Sequence, residues 1–153
     1  MPKIDIAKLP IDARTNYPAP FDRVVQGRER KRLGNAAGVD QFGVNLTTLK
    51  PGAASSLRHC HEREDELVYL LEGQLVLIED DGEVVLNPGD AAGFKADSGN
   101  GHQLVNRTDR DAVYLEIGSR SKHERVDYAD VDMLMIRDDN GAHYTHKNGE
   151  PYN

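Results

Sequence analysis

Apolar residues in this chain fall into short runs, not helical stripes. Between Phe42 and Gly118 the runs FGVNLTTL, LVYLL, QLVLIE, EVVLN, HQLVN and AVYLEIG alternate with turn chemistry such as Pro51-Gly52, Glu72-Gly73, Asp80-Asp81-Gly82, Pro88-Gly89-Asp90 and Thr108-Asp109-Arg110-Asp111. Short segments rich in β-branched and aromatic residues, bounded by Gly, Pro and Asp, predict strands joined by turns, and their spacing predicts an all-β sandwich or barrel. No stretch there keeps a helical period of useful length. In Leu67-Val68-Tyr69-Leu70-Leu71 both faces of the strand are apolar, because successive side chains point to opposite sides. The outer face therefore needs a cover, from the flanking arms or from a second copy, and a homodimer is expected.

The pattern divides the chain into an N-terminal arm over residues 1–41, a barrel over residues 42–118 and a C-terminal arm over residues 119–153, all within a single domain. Pro2, Pro10, Pro18 and Pro20 predict extended segments and turns for the first arm, packed on the barrel or on a dimer partner. The tail HYTHKNGEPYN is polar and rich in turn formers.

A chain of 153 residues can bury one core without a staple. Cys60 is the single cysteine and has no internal disulfide partner, and no apolar run approaches the twenty residues of a membrane span. With no recognisable leader, a cytoplasmic protein without membrane attachment is expected. The net charge of −7 argues against nucleic-acid binding, which needs clustered cations to displace counterions. The charge is unevenly spread, since residues 1–36 carry eight Lys and Arg against four Asp and Glu. The densest cluster is Arg28, Arg30, Lys31 and Arg32. It reads as a solvated face, as an arm docked on the acidic body, or as a seat for an anion.

The chemistry concentrates in RHCHEREDELVYLLEG. On a strand, His59 and His61 project from one side with Cα atoms about 6–7 Å apart. Two such imidazoles chelate a first-row metal once a neighbouring strand adds another donor. Glu66 opens the next strand with the parity of Val68 and Leu70, and His102 begins a later strand after a glycine-rich turn. A lone histidine is more often a surface or hydrogen-bonded residue, and the run Glu62, Glu64, Asp65, Glu66 also reads as a solvated turn. The joint pattern favours an open site for a divalent ion such as Zn, Fe, Ni or Mn.

At these residues the sequence resembles the cupin superfamily. Gly52, His59, His61, Glu66 and Gly73 match its first motif, and Gly89, His102 and Asn106 match its second. Six residues separate Gly52 from His59 where five are usual, and Lys95 stands where a proline is expected. The resemblance implies a double-stranded β-helix, or jelly roll, in which His59, His61, Glu66 and His102 bind the metal, with Asp65 as the alternative carboxylate. The flanks YPAPF, VYLEIGSR and YTHKNGEPY are similar to small single-domain bacterial cupins associated with sugar-phosphate isomerisation or polyketide synthesis.

The function expected is a metal-dependent enzyme, dioxygenase-like or isomerase-like, acting on a small oxygen-bearing metabolite. The alternative is a non-catalytic module that binds or senses a small molecule. Catalytic residues stay open, because an isomerase needs a base and no second interior carboxylate stands out. Lys95, Tyr69 and Tyr114 are candidate substrate-binding residues, with Arg58 and Arg63 as further cations near the barrel mouth. Cys60 has the parity that points away from the metal, and His143 and His146 suit surface or arm-docking roles.

Overall fold

The computed structural model describes residues 3–153, so Pro2 of the N-terminal arm lies outside the described residues. These residues form twelve strands: β1 (Arg28–Arg32), β2 (Phe42–Leu49), β3 (His59–His61), β4 (Glu66–Glu72), β5 (Leu75–Glu79), β6 (Gly82–Leu86), β7 (Ala91–Phe94), β8 (Gln103–Val105), β9 (Ala112–Ser119), β10 (Glu124–Tyr128), β11 (Leu134–Asp138) and β12 (Gly141–Thr145). Helix is confined to a single turn, α1 (Leu33–Ala36), and to 3₁₀ turns at Ile6–Lys8 and Phe21–Val25. No helix among the described residues is long and apolar enough to cross a membrane.

All strand pairings are antiparallel, in sheets ordered β1-β2-β9-β4-β7, β12-β11-β10-β3 and β6-β5-β8. The fold is the expected all-β jelly roll. Its main core joins Leu49, Val68, Leu70, Leu75, Leu77, Leu86, Leu104, Ala112 and Tyr114, which come from the five-stranded and three-stranded sheets. Alternation along β4 explains the division of labour. Val68 and Leu70 point into this core, while Leu67, Tyr69 and Leu71 face outward and are exposed.

A second apolar cluster holds the four-stranded sheet to the N-terminal segment. Val126, Tyr128, Met133 and Met135 pack with Tyr17, Phe21, Leu57 and Tyr144, and Tyr17 sets its ring edge-on to Tyr128 and Tyr144. Both flanking regions thus contribute strands. β1 is the edge of the largest sheet, and β10 to β12 stand beside the strand that carries the two neighbouring histidines.

One glycine is required by contact as well as by conformation. Gly73 has φ +78°, and a Cβ there would lie 2.5 Å from the Asp111 carbonyl oxygen and 2.8 Å from the Ala112 Cα. Only glycine lets β4, which carries a register shift between Leu70 and Glu72, turn this close to the start of β9.

Candidate metal centre

The two histidine-bearing segments meet through their backbones. His59 N donates to His102 O at 3.1 Å and His102 N donates to His59 O at 2.8 Å, an antiparallel bridge on one side of β3. On the other side β3 pairs with β10, placing His61 opposite Val126 and His59 opposite Tyr128. Glu66, at the first position of β4, reaches the same point from the large sheet.

The donor atoms converge on the Glu66 carboxylate. His102 Nε2 lies 2.6 Å from Oε2, His61 Nε2 lies 3.2 Å from Oε1, and His59 Nε2 lies 3.7 Å from Oε2. One ligand atom each from His59, His61 and Glu66 falls within 4.8 Å of the others. The opposite edge of the His59 ring is tied elsewhere. His59 Nδ1 is 2.8 Å from Leu57 O and 3.2 Å from Ser56 Oγ, so an Nδ1–H bonded to the carbonyl leaves the Nε2 lone pair for the centre. His102 is held flat by Phe94, stacked at 3.6 Å. Two imidazole nitrogens and one carboxylate gathered together, with His102 Nε2 against the same carboxylate, fit a divalent first-row ion by donor chemistry.

Protonation preferences agree with this fit. Burial pushes the Glu66 carboxyl up, but the hydrogen bond to His102 and the nearby His59 and His61 rings outweigh it and hold the group well below the usual carboxylate range. Burial lowers the His102 pKa and keeps that ring neutral, the form that binds metal. Burial also works against charge on His61, yet Glu66, Glu124 and Glu64 together raise its pKa above the ordinary value.

The centre opens into a cavity of about 560 Å³ lined by side chains from both ends of the chain. Glu116 on β9 lies in its wall, pairing with Arg30 at 3.4 Å. Arg28, Tyr17, Tyr114 and Tyr128 line it too. The basic cluster is therefore split by strand alternation, with Arg28, Arg30 and Arg32 lining the cavity while Lys31 bonds the backbone of Ile6.

The structure brings His59, His61, Glu66, His102 and Tyr114 to this cavity. It turns the other candidates away. Lys95 is 78% exposed and pairs with Asp65, which is thereby committed outside the centre; Lys95 follows Phe94, which stacks on His102, and so has the outward parity. Tyr69 points outward because it has the opposite parity to Glu66 and Val68. Arg58 is clamped by Asp80 and Asp130, and Arg63 is exposed. Cys60 pairs with Asp127 on β10 away from the centre, with its thiol pushed up by burial. His143 is exposed, and His146 binds Asp132 and stacks on Tyr152. Asn106 is fully buried and organises a turn, donating to Leu49 O and Arg110 O while Thr108 donates to it.

Glu116, Arg28, Arg30 and Glu124 are not singled out by spacing alone. For Glu116 a signal exists, since it shares parity with the buried Ala112 and Tyr114. A charged residue on the inward face of a strand is a marker of function or pairing.

Comparison with known proteins adds an independent line. Residues 45–118 match the family model described as cupin domain. A sugar phosphate isomerase from a cupin superfamily of Silicibacter pomeroyi is 45% identical, with 99% of this chain and 97% of that one covered and a TM-score of 0.96. A protein with a provisional sugar phosphate isomerase designation from Acidithiobacillus ferrooxidans is 30% identical over 79% of this chain and 77% of its own, with a TM-score of 0.75. The polyketide cyclase RemF of Streptomyces resistomycificus shares the fold at 19% identity, covering 78% and 79% with a TM-score of 0.65. Among curated proteins no match is found.

Proposed function

This chain belongs to the cupin superfamily, and on that premise we propose that His59, His61, Glu66 and His102 hold a divalent metal ion and that the protein is a metalloenzyme of isomerase type. Its substrate is a small carbonyl-bearing metabolite held in the cavity. One observation carries the choice of reaction: Glu116 is an interior carboxylate in the same cavity, separate from the four donors. An ion held by these four side chains would supply Lewis-acid chemistry for a carbonyl oxygen. Glu116 takes the proton from the hydroxyl-bearing carbon next to that carbonyl and returns it to the former carbonyl carbon, while the hydroxyl proton passes to the carbonyl oxygen, the exchange an aldose–ketose isomerisation needs. Arg30, 3.4 Å from both Glu116 oxygens, orients the carboxylate. The names of the two more similar solved structures support this reading over a dioxygenase. The working unit proposed is a homodimer.

The test starts with elemental analysis of protein purified without chelator, beside His59→Ala and His102→Ala. Near-stoichiometric metal is expected in the wild type and a large loss in both variants. Metal-loaded protein is then incubated in D2O with a panel of phosphorylated aldoses and ketoses, and solvent deuterium at the carbon beside the carbonyl is read by proton NMR. Glu116→Gln should abolish incorporation while keeping its metal. Oxygen uptake by iron-loaded protein would favour the dioxygenase instead. Tight ligand binding with no turnover would favour a sensing or binding module.

A further inference from the structure

Matching the charges around the cavity leaves one cation over. Arg14 and Arg32 share Asp12, Arg30 faces Glu116, and Arg137 pairs with Glu64 at 3.0 Å. Arg28 meets no carboxylate among the described residues. Its guanidinium donates to two backbone carbonyls, Ser55 O at 2.7 Å and Arg14 O at 3.3 Å, although the residue is only 6% exposed. A guanidinium keeps its charge, and a buried charge is costly until an opposite one meets it.

Beside Arg28 lie buried polar atoms with no partner among the described residues. They are Arg30 Nε, the Tyr114 hydroxyl and Thr47 Oγ1. Strand register puts all three in one row, with Arg30 opposite Thr47 on β2 and Thr47 opposite Tyr114 on β9. Buried donors without acceptors are rare in folded proteins. Two of the three belong to Arg30 and Tyr114, which line the cavity with Arg28, and next to an unmatched guanidinium they mark a place suited to acceptor oxygens. The cavity-lining donors come from β1 and β9, and guanidinium groups meet phosphate oxygens through charge-assisted hydrogen bonds.

We infer that Arg28, Arg30 and Tyr114 form a subsite for the phosphate monoester group of the metabolite whose carbonyl end lies toward Glu66 and Glu116. The inference rests on the function proposed above and specifies its substrate class. The phosphate supplies the charge that Arg28 lacks, and its oxygens accept from Arg30 Nε and the Tyr114 hydroxyl. The cavity volume suits a phosphorylated metabolite of a few carbons.

The experiment is calorimetric titration of inorganic phosphate into the full chain as purified and again after chelation, with acetate in parallel. Phosphate should bind in both states, and acetate at least tenfold more weakly. Arg28→Met should weaken phosphate at least tenfold, and Tyr114→Phe about threefold without lowering the melting temperature, since it deletes an unsatisfied buried hydroxyl. Metal content should match the wild type in both. No phosphate binding, equal binding in both variants, or binding that appears only with metal would overturn the subsite, and acetate binding as tightly as phosphate would overturn the phosphate assignment. If Arg28→Met does not fold, Tyr114→Phe decides. Arg28-dependent phosphate binding in a protein that never takes up metal would sink the proposed function and leave the subsite standing.

Discussion

At the scale of single residues, the centre depends on what stands behind it. Glu124 is buried, and its Oε1 accepts from the backbone N–H groups of Arg63 at 3.0 Å and Arg125 at 2.7 Å. Its Oε2 and His61 Nδ1 are both buried without partners, and they lie 3.4 Å apart. A small shift lets Nδ1–H donate to the carboxylate, which fixes the tautomer that turns the Nε2 lone pair toward the proposed metal site. Glu124→Gln places an N–H against that ring edge and should raise the metal dissociation constant about 10- to 100-fold. The same calorimetry, run in buffers of different ionisation enthalpy, should show proton release on metal binding by the wild type. The His61 pKa is raised, so below it the metal must displace a proton. Affinity then climbs with pH through that titration and levels off above it. An unchanged affinity in Glu124→Gln would make the residue a packing feature only.

The four proposed donors were legible as residues because parity along a strand is local. Tyr69 was expected at the substrate, yet it alternates with Glu66 and Val68 and so faces outward with Leu67 and Leu71. Glu116 was missed, although it has the parity of the buried Ala112 and Tyr114 and lies in register with Asn45 on β2 and Val68 on β4. Lys95 was not legible, since its parity is counted from Phe94, whose direction is decided by packing on His102.

At the scale of elements, the apolar runs of the central region became β2, β4, β5, β6, β8 and β9. β1 and β10 to β12 were harder to see. β1 reads RERKR, with no apolar residue, and is a strand because its backbone pairs with β2 and its alternate arginines find a polar cavity. Turn chemistry is what delimits these strands, and Gly73 tests it. Gly73→Ala meets both a left-handed φ and the Asp111 carbonyl, and should lower stability to urea by more than about 1 kcal/mol. Gly52→Ala has φ +83° but nothing within 4 Å of the new Cβ, so its loss should be smaller. Equal losses would mean that conformation alone sets the requirement at Gly73.

At the scale of the whole molecule, the outer face of the large sheet carries two apolar rows. Leu67, Ile117 and Val44 are in register across β4, β9 and β2, and Tyr69, Leu115 and Leu46 form the next row. All six are exposed or half-buried. A contiguous patch of this kind supports the proposed homodimer, with this face packed on its copy. Sedimentation equilibrium should give twice the 17.0 kDa chain mass, and Leu67→Glu should shift it toward one chain. A 17.0 kDa species at all concentrations would remove the dimer.

The sequence by itself determined the all-β class, the central strands and their turns, and pointed to the four side chains proposed as donors. Those properties rest on alternation, turn propensity and covalent spacing, which act over a few residues. The tertiary structure decided the rest. Glu124 faces His61 only because β10 pairs with β3, and Glu116 meets Arg30 only through the pairings of β1, β2 and β9. Such pairings join residues far apart in the chain, and a shift of one position would turn every side chain to the other face. Local pattern names the side chains able to do chemistry, and the register of distant strands decides which of them share a cavity.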